Sequence, residues 1–208
     1  MATSEDRRRQ VRQLVLEAAR ARANDALTLM SDDCNKELFA PFSPSPVAVI
    51  NAVWRKIEDA QLSLTSEDLL VDLGCGDGRW LVSGVKRFNC NAFGVELDDN
   101  LVKRAKEQVQ KEGLKHKIRV EMGDVMQTDI SSAKLVIVYA FAESLSGIAE
   151  RLKSQLKEEA NVLSIGFRIP GWKPHWSERE GGLRWYFYRI ATAFKNFTKH
   201  AHVYDCIQ

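Results

Sequence analysis

No apolar run in this chain of 208 residues approaches the roughly 18–20 residues that a membrane-spanning helix needs. The longest, Leu135–Ala142, has the length of a buried strand and its exit loop. Cysteine is scarce. Cys34, Cys75, Cys90 and Cys206 are too far apart in sequence to make a zinc knuckle or a CxxC redox pair. His116, His175, His200 and His202 are scattered; the last two would share one side of a strand, with no third ligand evident, so no metal site is expected. Neither sign of charge dominates: 30 Lys and Arg against 28 Asp and Glu leave a formal net charge of +2. That balance is too even to argue by itself for nucleic acid, which is an unexpected partner. Only the segment from Phe167 onward is lopsided, with seven basic and three acidic side chains. The start, Met1–Arg9, is polar, with no apolar core after it. Reduced thiols in a cytosolic or nuclear protein are therefore expected, cytoplasmic first. The arginines at 7, 8, 9 and 12 keep a mitochondrial presequence open, and Glu5, Asp6 and Glu17 count against it.

What is present is an ordinary globular composition, 45% hydrophobic and 28% charged, in a chain long enough to bury a large core without staples. Residues 7–30 read as an amphipathic helix, with Val11, Leu14, Val15 and Ala18 on one face. Pro41-Phe42-Ser43-Pro44-Ser45-Pro46 must then be extended. A helix from Val47 to Ala60 follows, with Ile50, Val53, Trp54 and Ile57 aligned. From Leu69 strands alternate with helices: strand Leu69–Leu73, helix Trp80–Phe88, strand Ala92–Glu96, helix Leu101–Glu112, then strands Ile118–Met122 and Lys134–Tyr139. A helix striped by Leu145, Ile148, Leu152 and Leu156 and a strand Asn161–Phe167 complete the series. That order asks for an α/β fold, a doubly wound and mostly parallel sheet. The stretch from Gly171 to Gly181 breaks the alternation, and Leu183–Ile190 with His202–Ile207 is expected to close the sheet edge as an antiparallel pair. The domain organisation expected is a helical extension over 1–40 and one catalytic domain over 41–208.

The strongest chemical signal is Asp72-Leu73-Gly74-Cys75-Gly76-Asp77-Gly78-Arg79, at the end of the first strand and opening a helix. Glycines there let backbone approach a ligand, and the helix amides can hold an anionic group. Arg79 stands where the dinucleotide fingerprint needs glycine, and no Gly-Lys-Ser/Thr follows, so nicotinamide and ATP lose ground. Glu96 ends the second strand, where an acid accepts hydrogen bonds from both hydroxyls of a ribose. Asp124, after the third strand, can take the exocyclic amine of adenine. An adenosine with a carboxylate and no phosphate matches S-adenosylmethionine, released as S-adenosylhomocysteine.

This constellation resembles the class I, seven-strand S-adenosylmethionine-dependent methyltransferases, whose fold is Rossmann-like. The Pro-rich segment 41–46, the strand Gly94-Val95-Glu96-Leu97 and Phe167-Arg168-Ile169-Pro170-Gly171-Trp172-Lys173-Pro174 narrow it. Together they resemble the archaeal broad-specificity protein-lysine methyltransferases and the mitochondrial ones acting on the adenine nucleotide translocase and the ring-forming protein of ATP synthase. The likeness spans roughly residues 40–176. Cys75 stands where that group usually has serine and Ser45 where it has threonine, and residues 7–30 are charged where animal mitochondrial members are apolar. Tyr139-Ala140-Phe141-Ala142 replaces the signature of amide and adenine N-methyltransferases.

The resemblance implies a cofactor set of Asp72, Gly74, Cys75, Gly76, Asp77, Gly78, Glu96, Leu97, Asp124, Val125 and Ser45. It also implies a lysine channel walled by Phe42, Tyr139 and Trp172, with no dedicated base. The expected reaction is methyl transfer to the side-chain amine of a lysine in a protein substrate. The rival readings are a methyltransferase for a small molecule or RNA, and a non-catalytic component of a complex with the same fold.

Overall fold

The computed structural model describes residues 43–140 and 142–193. The helix read over 7–30, Phe42, Phe141 and the strand read over His202–Ile207 lie outside the described residues. Helix α1 (Val47–Asp59) begins behind Pro46, whose φ of −58° already suits a helix start. Its apolar stripe, Val49, Ile50, Val53, Trp54 and Ile57, is buried. Trp54 meets Trp80 and Phe88 edge-on at 5.2 and 5.4 Å, and its indole Nε1 donates to Ser83 Oγ at 2.9 Å. Burying one such indole removes enough apolar surface to contribute about 4–6 kcal/mol in area bookkeeping.

From β1 (Leu69–Leu73) the chain runs through α2 (Arg79–Phe88), β2 (Asn91–Glu96), α3 (Asp99–Lys111), β3 (Ile118–Met122) and β4 (Leu135–Val138). It continues through α4 (Ala142–Gln155), β5 (Asn161–Ile165), β6 (Trp176–Glu180), β7 (Leu183–Arg189) and the single turn α5 (Ile190–Ala193). Asp98 starts α3 by accepting the amides of Asn100 and Leu101 on its carboxylate. The seven strands form one sheet in the order β3-β2-β1-β4-β5-β7-β6. The first five are parallel; β7 runs antiparallel to both β5 and β6.

The antiparallel partner of β7 is a correction to the expected one. Trp176–Glu180 pairs with Leu183–Arg189 across a Gly181-Gly182 turn, both glycines at positive φ. The stretch before β6 is polar and interrupted by Pro170 and Pro174. It hides a strand whose alternation shows only on one side: Trp176 stacks on Phe187 at 4.1 Å, while Ser177 and Arg179 face the other way.

The two sheet faces separate cleanly by parity. Leu135, Ile137, Leu163, Ile165, Trp185 and Phe187 join one cluster with the buried residues of α1, α2 and α3. The alternate positions Val136, Val138, Val162 and Tyr188 are buried outside it, as is the α4 stripe of Leu145, Ile148 and Leu152. β1 lies between β2 and β4, so the strand order reverses there. Open α/β sheets bind ligands in the crevice outside such a reversal.

Candidate cofactor and active site

The loop 74–78 sits in that crevice. Gly74, Gly76 and Gly78 have φ of +81°, +53° and +77°, a region that side chains rarely adopt. A Cβ at Gly74 would project into open space, so the backbone conformation alone demands glycine there. At Gly78 a Cβ would also come within 3.2 Å of Ala105 on α3. The amides of Gly74 and Cys75 both donate to Val95 O, at 2.9 and 3.0 Å, and tie the loop to β2.

Glu96 completes that tie. Its Oε2 accepts the Gly76 amide at 2.9 Å, and its Oε1 accepts the amides of Leu97 and Asp98 at 2.8 and 3.1 Å. A carboxylate offers about four lone-pair sites, so Oε2 keeps capacity for a hydroxyl. Cys75 is buried, and its Sγ fills the space that Gly94 leaves: a Cβ at Gly94 would lie 2.7 Å from that sulfur. Burial pushes its thiol well above the usual range, so it packs as a small apolar group.

Asp72 is only 3% exposed, and none of the described hydrogen bonds reaches its carboxylate. Burial, then the charges of Glu96 and Asp77, push it up to about 8. Asp77 goes the opposite way. Burial would raise it, but Arg79 donates Nε and Nη2 to its two oxygens at 2.9 and 2.6 Å and holds it below the usual carboxylate range. Arg79 Nη1 reaches on to Ser45 O at 2.9 Å, and Trp80 Nε1 donates to Ser45 Oγ at 3.0 Å. The extended segment before α1 is thereby fastened to the glycine loop.

Asp124 follows β3, with its Oδ1 on the Met126 amide at 2.8 Å and its side chain exposed. Val125 beside it is buried, and Gly123 donates its amide to Glu96 O at 2.9 Å. α4 braces this loop: the Arg151 guanidinium donates to Met126 O and Thr128 O.

Asp72, Glu96 and Asp124 thus stand at three successive strand ends along the crevice, with Leu97 half-buried next to Glu96. The set fits an adenosylated cation. Glu96 retains acceptor capacity for a ribose, Asp124 has a second oxygen for an amine donor, and the uncompensated Asp72 rewards positive charge.

On the acceptor side, Tyr139 follows β4, half-buried against the core cluster. Gly166, at the end of β5, has φ +81° and would put a Cβ 3.1 Å from Tyr139 Cε2. Trp172 lies elsewhere. It is buried, edge-on to Tyr188 at 5.6 Å, on the sheet face opposite the cluster that Tyr139 joins. Tyr188 accepts the Ile169 amide at 2.9 Å, and burial pushes its hydroxyl up to about 12. Trp185 Nε1 is buried with no partner among the described residues.

Reading the sequence missed Arg79, Trp80, Gly94 and Gly166. Gly94 and Gly166 carried a signal, since a glycine inside or just beyond a strand marks a close approach. The bonds of Arg79 and Trp80 to Ser45 carried none, because Ser45 is distant in sequence.

The profile of the family described as the ANTKMT methyltransferase domain matches residues 72–176, from the buried acid of β1 to the first residue of β6. The chain belongs to this methyltransferase family. A protein-lysine N-methyltransferase of Saccharolobus islandicus is 33% identical over 135 residues, covering 64% of this chain and 81% of that protein. A Xenopus laevis lysine N-methyltransferase, named for the ATP synthase component it modifies, is 24% identical over 67% of this chain, which spans only 58% of that relative. Among solved structures, an RNA methyltransferase from Salinibacter ruber in complex with S-adenosyl-L-homocysteine superposes with a TM-score of 0.65. It is 28% identical, over 71% of this chain and 94% of that one. Within this methyltransferase the matched span ends before β7, so Tyr139 and Gly166 fall inside it and the hairpin arm β7 does not.

Proposed function

We propose that this methyltransferase takes the methyl group of S-adenosylmethionine and places it on the side-chain amine of a lysine in a protein substrate. The observation that carries the acceptor is the 33% identity to the archaeal protein-lysine N-methyltransferase across 81% of that protein. The donor is supported by the crevice itself, where acids at three successive strand ends accompany a glycine loop tied to Glu96. The sulfonium of the donor brings an already activated methyl group.

The rest falls to the protein. Glu96 and Asp124 hold the ribose and adenine ends, and Asp72 compensates positive charge from beneath the loop. Cys75 and Gly78 fix the loop's shape. Ser45, held by Trp80 and Arg79, closes the loop from the N-terminal side.

A free lysine at pH 7 spends about 4–5 kcal/mol to reach its neutral form. An apolar channel beside positive charge lowers that cost by disfavouring the ammonium. Tyr139 orients the amine at the end of β4 through its hydroxyl and ring face. Trp172 acts through Tyr188 and the 166–173 loop that it anchors. Asp72, Glu96 and Asp124 being engaged with the donor, no general base is invoked.

One experiment tests the reading: incubation with methyl-labelled S-adenosylmethionine and whole-cell lysate, then acid hydrolysis. Label recovered as methyl-lysine supports it. The likeness to the Salinibacter RNA methyltransferase favours one alternative, an RNA acceptor, and label confined to RNA would establish that instead.

A further inference from the structure

The register of the β6–β7 hairpin sets Arg179 directly opposite Arg184. Side chains so paired have Cβ atoms about 4.5–5.5 Å apart, and like charges there are destabilising. Both arginines are exposed, and neither forms a salt bridge among the described residues. Arg179 spends only its Nε, on Gly182 O at 3.3 Å, leaving its outer nitrogens available. The two acids of the hairpin give no relief. Glu178 and Glu180 alternate to the opposite face, where Lys56 of α1 pairs with Glu178 at 2.6 Å.

The cationic face continues past the hairpin. Arg179, Arg184 and Tyr188 share one parity of the sheet, and the loop 166–173 lies against Tyr188 through Ile169 and Trp172. Arg168 and Lys173 of that loop line a cavity of about 510 Å³ together with Trp172. Between Gly166 and Ala193 there are five Lys and Arg and two acids. Only the Arg184 end of this face comes near the acceptor side, and Tyr139 itself joins the opposite face. The Arg184 carbonyl accepts the Gly166 amide at 2.7 Å, and Gly166 is the residue over which Tyr139 packs.

We propose that Arg179 and Arg184 dock acidic side chains flanking the target lysine. The substrate segment would be an acidic stretch of protein. The proposal rests on the protein-lysine reading above. Charge complementarity carries it: a repulsive pair with neither hairpin acid on its own face is compensated when carboxylates arrive, and guanidinium groups suit carboxylates in paired geometry. A lysine among acids is also the acceptor that the remaining acids of the crevice would repel, so a basic rim supplies the steering that the crevice lacks.

The test uses the full chain and three synthetic lysine peptides that differ only in flanking Glu, Ser or Lys, with binding read by fluorescence anisotropy. The Glu-flanked peptide should bind about tenfold tighter than the Ser-flanked one at low salt, with the advantage shrinking as salt rises. Arg179→Gln and Arg184→Gln should each remove most of that advantage, while Arg189→Gln, at the far end of β7, keeps it. Thermal melting should show Arg184→Gln no less stable than the parent, since a like-charge contact has gone. Equal binding of all three peptides, or an advantage that survives both substitutions, overturns the docking site. So does tighter binding of an RNA oligonucleotide through the same arginines. Methylation is read separately by mass spectrometry. A retained acidic preference with no methyl-lysine on any acceptor would overturn the lysine reading and leave the surface standing.

Discussion

The Gly76 amide donates to the Glu96 carboxylate across the crevice at 2.9 Å, so the acid expected to hold a ribose also holds the glycine loop. The same carboxylate gathers the amides of Leu97 and Asp98. Glu96 is a strut and a ligand group at once.

Glu96→Ala should therefore do two things. Three amides lose an acceptor, which costs about 1–3 kcal/mol of stability where water cannot replace it. Donor affinity should fall at least about tenfold with the loss of charge-assisted bonds. Thermal melting and calorimetric titration measure the two separately. An unchanged affinity would remove the ribose role, and an unchanged melting temperature would remove the strut.

Asp72 makes stability depend on pH in an unusual direction. Its carboxyl rises from 3.8 in the unfolded chain to about 8 in the folded one, through burial first and then Glu96 and Asp77. The folded state thus binds the extra proton, and stability contributed by this group falls as pH climbs through that window and levels off above it. Asp72→Asn should raise the melting temperature most at the alkaline end. Binding of a cationic donor should release a proton near neutral pH, visible as buffer-dependent heat in calorimetry. An identical pH profile in the mutant and the parent would contradict the assignment.

Gly94 and Cys75 share one space. A methyl group at Gly94 would lie 2.5 Å from Leu81 Cδ1 and 2.7 Å from Cys75 Sγ. Gly94→Ala should cost about 1–3 kcal/mol through overpacking. Adding Cys75→Ala should recover part of that loss, because removing the sulfur makes room. A denaturant-unfolding double-mutant cycle measures the coupling, and strict additivity would mean the two do not compete.

Tyr139 and Trp172 should fail differently. Tyr139→Phe keeps the ring against Gly166 and removes one hydroxyl, so kcat falls while donor affinity and melting temperature hold. Trp172→Ala empties a buried site against Tyr188, and about 3–5 kcal/mol of stability should go with it. Gly166→Ala, at φ +81° and against the Tyr139 ring, should lower kcat as Tyr139→Phe does. Activity on a lysine acceptor should rise with pH toward about 9 as the amine loses its proton. Full turnover in both Tyr139→Phe and Gly166→Ala would place the acceptor elsewhere.

The alternation of strands and helices from Leu69 to Ile165, the glycine loop and the acids at 72, 96 and 124 were legible in the sequence, because each is a local pattern. Apolar runs end where the sheet ends, and chain reversal at a strand end demands glycine. Strand β6 was not legible, because Trp176–Glu180 has one apolar residue and becomes a strand only by pairing with Leu183–Arg189. Nor was the fastening of Ser45 by Arg79 and Trp80, or the filling of Gly94's space by Cys75. Those contacts join residues far apart in the chain, and no periodicity records them. Sequence by itself determined strands β1 to β5 and β7, where the loop turns and which acids end the strands, all consequences of side-chain type and spacing. Only the tertiary structure decided that Glu96 carries the loop, that Asp72 is buried with no donor among the described residues, that Trp172 and Tyr139 occupy opposite faces, and that two arginines stand opposite each other across the β6–β7 hairpin. Each of those depends on which elements become neighbours, and the packing of the sheet settles it.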